Sequence, residues 1–127
     1  MARFLWICLG GAAGTGARYV VSVWLLRALG PSFPFGTLAV NASGCFLLGA
    51  IMHAGLATDL LSPTLRLVLA TGVMGGFTTY STFNYETMQY LREGAWEMAT
   101  LNVSTTLALG LGSGALGVAT ARWMVGS

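Results

Sequence analysis

The sequence contains no lysine, four acidic residues and six arginines, so charged residues make up only 8% of its 127 positions, against about 25% in an ordinary soluble domain. A water-soluble fold of this length exposes much of its surface, and ten charges cannot cover it. The formal net charge is +2, and no basic run interleaves with aromatics, which excludes a nucleic-acid partner. Cys8 and Cys45 lack CxxC or metal-ligand spacing and read as small buried hydrophobes. There is one histidine, His53, near the end of an apolar segment, where an interfacial position suits it better than a ligand role. No Ser-His-Asp set, no His/Cys cluster and no phosphate loop at a strand-helix junction is present, so the chain is not expected to be an enzyme. The GGAAGTG stretch at 10–16 begins inside an apolar helix.

What the sequence does have is long apolar runs, 55% of residues being hydrophobic. Crossing a hydrocarbon core of about 30 Å takes roughly 20 helical residues, and four segments reach that length. They are expected at 4–29, 35–57, 64–91 and 96–124, forming one four-helix transmembrane domain over 1–127. Met1-Ala2-Arg3-Phe4-Leu5-Trp6 imitates a signal peptide, but the apolar character runs past a usual h-region with no clear cleavage site. It is kept as part of the first span. Gly30-Pro31-Ser32-Phe33-Pro34 forces a turn, because proline lacks the amide that continues a helix. Thr58-Asp59 with Ser62-Pro63, and Arg92-Glu93-Gly94, supply the other two breaks.

The third span carries Thr71-Gly72-Val73-Met74-Gly75-Gly76-Phe77-Thr78-Thr79. Glycine and β-branched threonine each weaken a helix by several tenths to about 1 kcal/mol, which predicts an unwound break in mid-membrane. Exposed backbone does not persist in hydrocarbon, so such a break must face protein, water or a bound ion. Loop arginines divide evenly: Arg3, Arg66 and Arg122 on one side, Arg27 and Arg92 on the other, joined by Arg18 if it snorkels. Without a positive-inside bias the chain is expected to insert both ways and to pair as an antiparallel homodimer.

Tyr80 and Phe83 share one helical face at i and i+3. On spacing alone they are lipid-facing or core aromatics. The neighbouring Thr78, Thr79, Ser81 and Thr82 hydroxyls make a partly polar lining, and an aromatic ring presents a positive edge to a small anion. Asn41 lies in an apolar helix, where an unpaired amide costs about 1–3 kcal/mol, so it either joins helices or lines a pore. Thr37, one turn earlier, shares its face. Glu86, one turn past Phe83, is expected in a wet vestibule or as an interfacial anchor. Asn102 and Thr106 form a polar stripe on the fourth helix. Its four glycines at 110, 112, 114 and 117 suit close helix contact. Arg18 either snorkels to headgroups or points into a water-filled vestibule, where it draws anions.

The Gly75-Gly76-Phe77-Thr78-Thr79-Tyr80-Ser81-Thr82-Phe83 motif resembles the Fluc (CrcB) fluoride channels. So do Gly36-Thr37-Leu38-Ala39-Val40-Asn41 and Gly14-Thr15-Gly16-Ala17-Arg18-Tyr19, and the similarity covers essentially the whole chain. The resemblance implies an inverted homodimer in the bacterial inner membrane, with two fluoride pores and a buried structural Na⁺ that is not transported. It implies that Gly75 and Thr78 offer backbone carbonyls to that sodium. Phe83 matches one pore phenylalanine; Tyr80 departs from the family's other phenylalanine, which leaves the conduction rate and number of ion sites open. By the same likeness Asn41, Thr37, Ser81, Thr82, Glu86, Asn102 and Thr106 line the pore, with Arg18 in the vestibule. Where many members have a later threonine, this chain has Gly114, beside Ser113.

Two other classes compete. A small multidrug-type cation exporter also has four short helices, but needs a carboxylate in the first helix, where this chain carries Arg18. A non-transporting membrane scaffold has no use for the glycine- and hydroxyl-rich third span.

Overall fold

The computed structural model describes residues 1–126, and every regular element among them is helical. Helix α1 (Ala2–Leu29) stops at Gly30, whose φ of 81° turns the chain while its amide still bonds Leu26 O. Such an angle suits glycine, and Pro31 follows directly. Helix α2 spans Phe35–Ala57. Ser62 caps the next helix by accepting the Leu65 amide at 3.1 Å, with Pro63 in the first helical position, where its missing amide costs nothing.

The third apolar stretch is built in pieces. Short α3 (Pro63–Leu67) passes into a π-helical stretch, Val68–Met74, and then α4 (Gly75–Phe77). Thr78 (φ −87°, ψ 158°) and Thr79 (φ −150°, ψ 113°) are extended, and α5 (Tyr80–Arg92) follows. The irregularity is therefore narrower than glycine content predicts. Thr71 to Phe77 stay helical, as a wide π turn and one short α turn, and only two residues leave the helical region. Gly94, at φ 74°, turns the chain into α6 (Trp96–Val125).

Three helices, α1, α2 and α6, are long and apolar enough to cross a membrane. The exposed side chains agree: Trp6, Trp24, Leu111 and Trp123 are more than half exposed, while Val40, Met74, Ala99 and Ala121 are the buried hydrophobics. This is a multi-pass membrane protein, whose apolar surface faces lipid. Cys8, expected to be buried, is exposed on this surface, and Cys45 is half-buried.

Because lipid removes the hydrophobic drive between helices, packing depends on small residues that let backbones approach. The most extensive contact joins α2 to α6. There Gly117 sits on the Phe46 carbonyl, and a Cβ on Gly49 would come within 2.6 Å of Gly114 O. Helix α1 packs on the π stretch and α4 in the same way, Gly14 lying over Val73 O and Phe77 N, and Gly76 against Gly11 O. Arg3 reaches Thr64 Oγ1 at 3.3 Å at one end of the bundle, and Tyr90 Oη reaches Ser32 O at 3.3 Å at the other. Helix α1 and the third stretch therefore run parallel.

Candidate functional site

The break and the short turn before it are held from both sides. From α2, Asn41 Oδ1 accepts the Thr79 amide at 2.7 Å and Asn41 Nδ2 donates to Thr79 O at 2.9 Å. From α1, Arg18 Nε donates to Gly76 O at 3.0 Å. Gly44 on α2 leaves room for the Thr78 methyl, which would overlap any Cβ there. Thr79 then restarts the helix: its Oγ1 accepts the Thr82 amide at 3.2 Å, which is N-cap geometry. The same hydroxyl donates to Thr82 Oγ1 at 2.9 Å.

A cavity lies on each side of this hydroxyl pair, one lined by Thr82 and the other by Thr79. One, of about 410 Å³, lies between α1, α2 and α5 and is lined by Thr15, Arg18, Ser22, Thr37, Thr82 and Glu86 among others. Within it Thr37 Oγ1 donates to Glu86 Oε2 at 2.9 Å, while Glu86 Oε1 is buried without a partner. The other, of about 270 Å³, is a groove between α2, α5 and α6 lined by Asn41, Thr78, Thr79, Tyr80, Phe83 and Thr106, with Cys45 and Leu48 beside them. Thr82 faces the first and Thr79 the second, so their hydrogen bond bridges the two. The Tyr80 and Phe83 rings meet edge to face, 5.8 Å between centroids and 62° between planes.

The predicted site residues thus fall into groups. Arg18, Thr37, Thr82 and Glu86 share the first cavity. Asn41, Thr78, Tyr80, Phe83 and Thr106 share the groove. Ser81 is exposed beside them, its Oγ 3.4 Å from Thr79 Oγ1. Asn102 lines neither cavity. It is 2% exposed and donates to Thr87 Oγ1 at 3.0 Å, and Thr87 in turn donates to Phe83 O at 2.9 Å. Asn102 therefore ties α6 to the turn that carries Phe83. Arg18 lines its cavity, but it also spends Nε on the Gly76 carbonyl.

The sequence places Thr79 in the polar lining without its capping role, and it does not single out Thr87. Thr79 was one hydroxyl among several; the signal was a threonine three residues before Thr82 at the point where polar periodicity resumes. Thr87 had a weaker signal, a threonine one turn beyond Phe83.

Among the described residues, no three His, Cys, Asp or Glu side chains converge on a metal site. Backbone oxygens are the alternative. In a continuous helix the Thr79 and Thr82 amides would satisfy Gly75 O and Thr78 O; here they turn to Asn41 Oδ1 and Thr79 Oγ1. The carbonyls of Gly75 and Thr78 are thereby released from those donors. Hard oxygen donors of this kind fit a hard monovalent cation.

The description "CrcB-like protein, Camphor Resistance (CrcB)" belongs to a family that matches residues 5–118. A fluoride-specific ion channel FluC of Sorangium cellulosum (strain So ce56) is 54% identical over 125 residues, covering 98% of each chain. Proteins of the same name from Anaeromyxobacter dehalogenans (strain 2CP-1) and Geobacter sulfurreducens are 52% and 47% identical, covering 99% and 96% of this chain and 100% and 98% of their own.

Proposed function

The chain belongs to the CrcB-like family, and from that membership we propose that it is a fluoride-selective channel that lets F⁻ leave the cell passively. The observation that carries this reading is a cavity on each side of the hydrogen-bonded Thr79–Thr82 hydroxyls, with a guanidinium lining one and aromatic rings lining the other. Fluoride is small and strongly hydrated, so a path for it must replace water with closely placed donors. The Arg18 charge draws the anion into the first cavity. Thr82 and Thr79 offer hydroxyls that rotate between donor and acceptor roles. Beyond them the remaining Asn41 N–H and the positive edges of Tyr80 and Phe83 receive the ion. Ser81 and Thr106 extend the hydroxyl lining.

The groove is open on a single chain, Tyr80 being 77% exposed. An inverted second copy closes it and duplicates the path, giving two pores in an antiparallel dimer with the two extended residues near the bilayer midplane. The even division of arginines between the two ends permits that dual insertion. Gly75 and Thr78 hold a structural sodium through their carbonyls. When bound, sodium supplies the positive charge that those oxygens lack once the Thr79 and Thr82 amides have turned away. In the bacterial inner membrane, a negative interior drives fluoride outward, removing ion that entered as HF and lost its proton inside. No energy source is needed.

The test is efflux from liposomes loaded with sodium fluoride or sodium chloride, followed by ion-selective electrodes. Rapid fluoride release without chloride release is expected. Folded protein that releases neither ion would overturn the channel reading.

A further inference from the structure

We infer that Asn41 and Thr79 are positioning residues that keep two particular carbonyls, Gly75 O and Thr78 O, out of the helix ladder, while Arg18 occupies the carbonyl between them. In an α-helix each carbonyl accepts the amide four residues on. For Gly75 O that donor is the Thr79 amide, which Asn41 Oδ1 takes at 2.7 Å. For Thr78 O it is the Thr82 amide, which Thr79 Oγ1 takes at 3.2 Å. Each side chain removes one donor, and the two carbonyls released are the two assigned to sodium above. Asn41 also holds Thr79 O through Nδ2, so the amide grips the backbone at both ends and fixes Thr79 in its extended form. The Thr79 hydroxyl spends its proton on Thr82 Oγ1, which leaves its lone pairs for the Thr82 amide.

Gly76 O behaves differently. The guanidinium of Arg18 donates to it at 3.0 Å, placing a positive charge where a cation would otherwise compete. Gly76 itself is pressed on Gly11 O and Thr15 Oγ1, so its carbonyl cannot swing away without parting from α1. Arg18 thereby restricts a cation to the Gly75 and Thr78 oxygens. These roles differ from anion contact, although Asn41 and Arg18 also face the ion path. What the freed carbonyls hold rests on the sodium reading above; how they are freed does not.

The experiment is carbonyl-carbon and amide NMR of the full chain in lipid nanodiscs, in sodium and again with N-methylglucamine replacing it. In the wild type, the Gly75 and Thr78 carbonyl signals are expected outside the range of helix-bonded carbonyls. In an Asn41→Ala background, where Thr79 is no longer held extended, Thr79→Ala returns the Thr82 amide to Thr78 O and shifts that carbonyl to the helical range, while Thr79→Ser, which keeps the hydroxyl, leaves the Thr78 carbonyl where that background has it. Asn41→Ala does the same at Gly75, and Asn41→Asp, which keeps the acceptor, does not. Serine and alanine variants with the same Thr78 signal would overturn the assignment. So would wild-type Gly75 and Thr78 signals in the helical range, a result that needs no variant to fold. If the variants shift these signals as expected but removing sodium leaves the wild type unchanged, the sodium reading fails and the hydrogen-bond assignment stands.

Discussion

Gly14→Ala tests whether backbone contact between α1 and the third stretch holds the site together. The Cβ of an alanine at 14 would lie 2.9 Å from Phe77 N and closer still to Val73 O. Reaching an ordinary 3.4 Å contact means opening the interface by at least 0.5 Å at Phe77 (3.4 minus 2.9), and by more at Val73. Neither neighbour is a flexible side chain that can step aside. Overpacking against rigid backbone costs about 3 kcal/mol, and the better helix propensity of alanine returns about 1 kcal/mol. A net loss of about 2 kcal/mol is therefore expected. Gly112→Ala is the control, because nothing lies within 4 Å of its Cβ position, and it should be neutral or gain up to about 1 kcal/mol. Unfolding by SDS titration in mixed micelles measures both, and fluoride efflux should fall with Gly14→Ala because Val73 to Phe77 leads into the clamped carbonyls. A Gly14→Ala protein within about 0.5 kcal/mol of wild type, with undiminished efflux, would refute the packing argument.

Other outcomes follow from the same contacts. Asn102→Ala and Thr87→Val should each destabilise the fold, and a double-mutant cycle should return a coupling of about 1 kcal/mol, within the range for polar pairs between membrane helices. A coupling near zero would separate Asn102 from the Phe83 turn. Tyr80→Phe removes a hydroxyl from an exposed ring in the groove; losing one hydrogen bond to a charged ion, about 1.5–3 kcal/mol, should raise fluoride efflux by about tenfold or more. Unchanged or slower efflux would show that the hydroxyl does not hold the ion. Replacing sodium by N-methylglucamine should lower the thermal midpoint of the purified protein, since a ligand of the folded state stabilises it by mass action; equal midpoints would count against a structural sodium.

The sequence made the helix ends legible because they are marked by residues with one physical effect. Gly30-Pro31 and Ser62-Pro63 stop or start helices by local backbone chemistry, and the helices end there. The polar residues of the groove were legible too, since an amide or hydroxyl in an apolar segment needs a partner. Which partner it finds was not. Asn41 meets Thr79 38 residues away, and Arg18 meets Gly76 58 residues away; periodicity gives a face, not the residue opposite it. The sequence allows Arg18 to snorkel or to line a vestibule, and its bond to a backbone carbonyl depends on the close seating of α4 on Gly11 and Gly14. Asn102 and Thr106 share a helical face, yet burial against Thr87 withdraws Asn102 from the groove that Thr106 lines. Glycine content predicted a longer unwound segment than the structure has, because packing on α1 keeps Thr71 to Phe77 helical where propensity alone would not.

The central claim is that fluoride passes through the groove lined by Asn41, Tyr80 and Phe83. Its most direct test is fluoride and chloride efflux from sodium-loaded liposomes containing either the wild-type protein or Phe83→Ile, with the folding and oligomeric state of each checked before reconstitution. Rapid fluoride-only efflux is expected from the wild type and is lost in Phe83→Ile, because isoleucine fills the space without offering a positive ring edge. Equal fluoride efflux from both proteins would contradict it and place the path elsewhere.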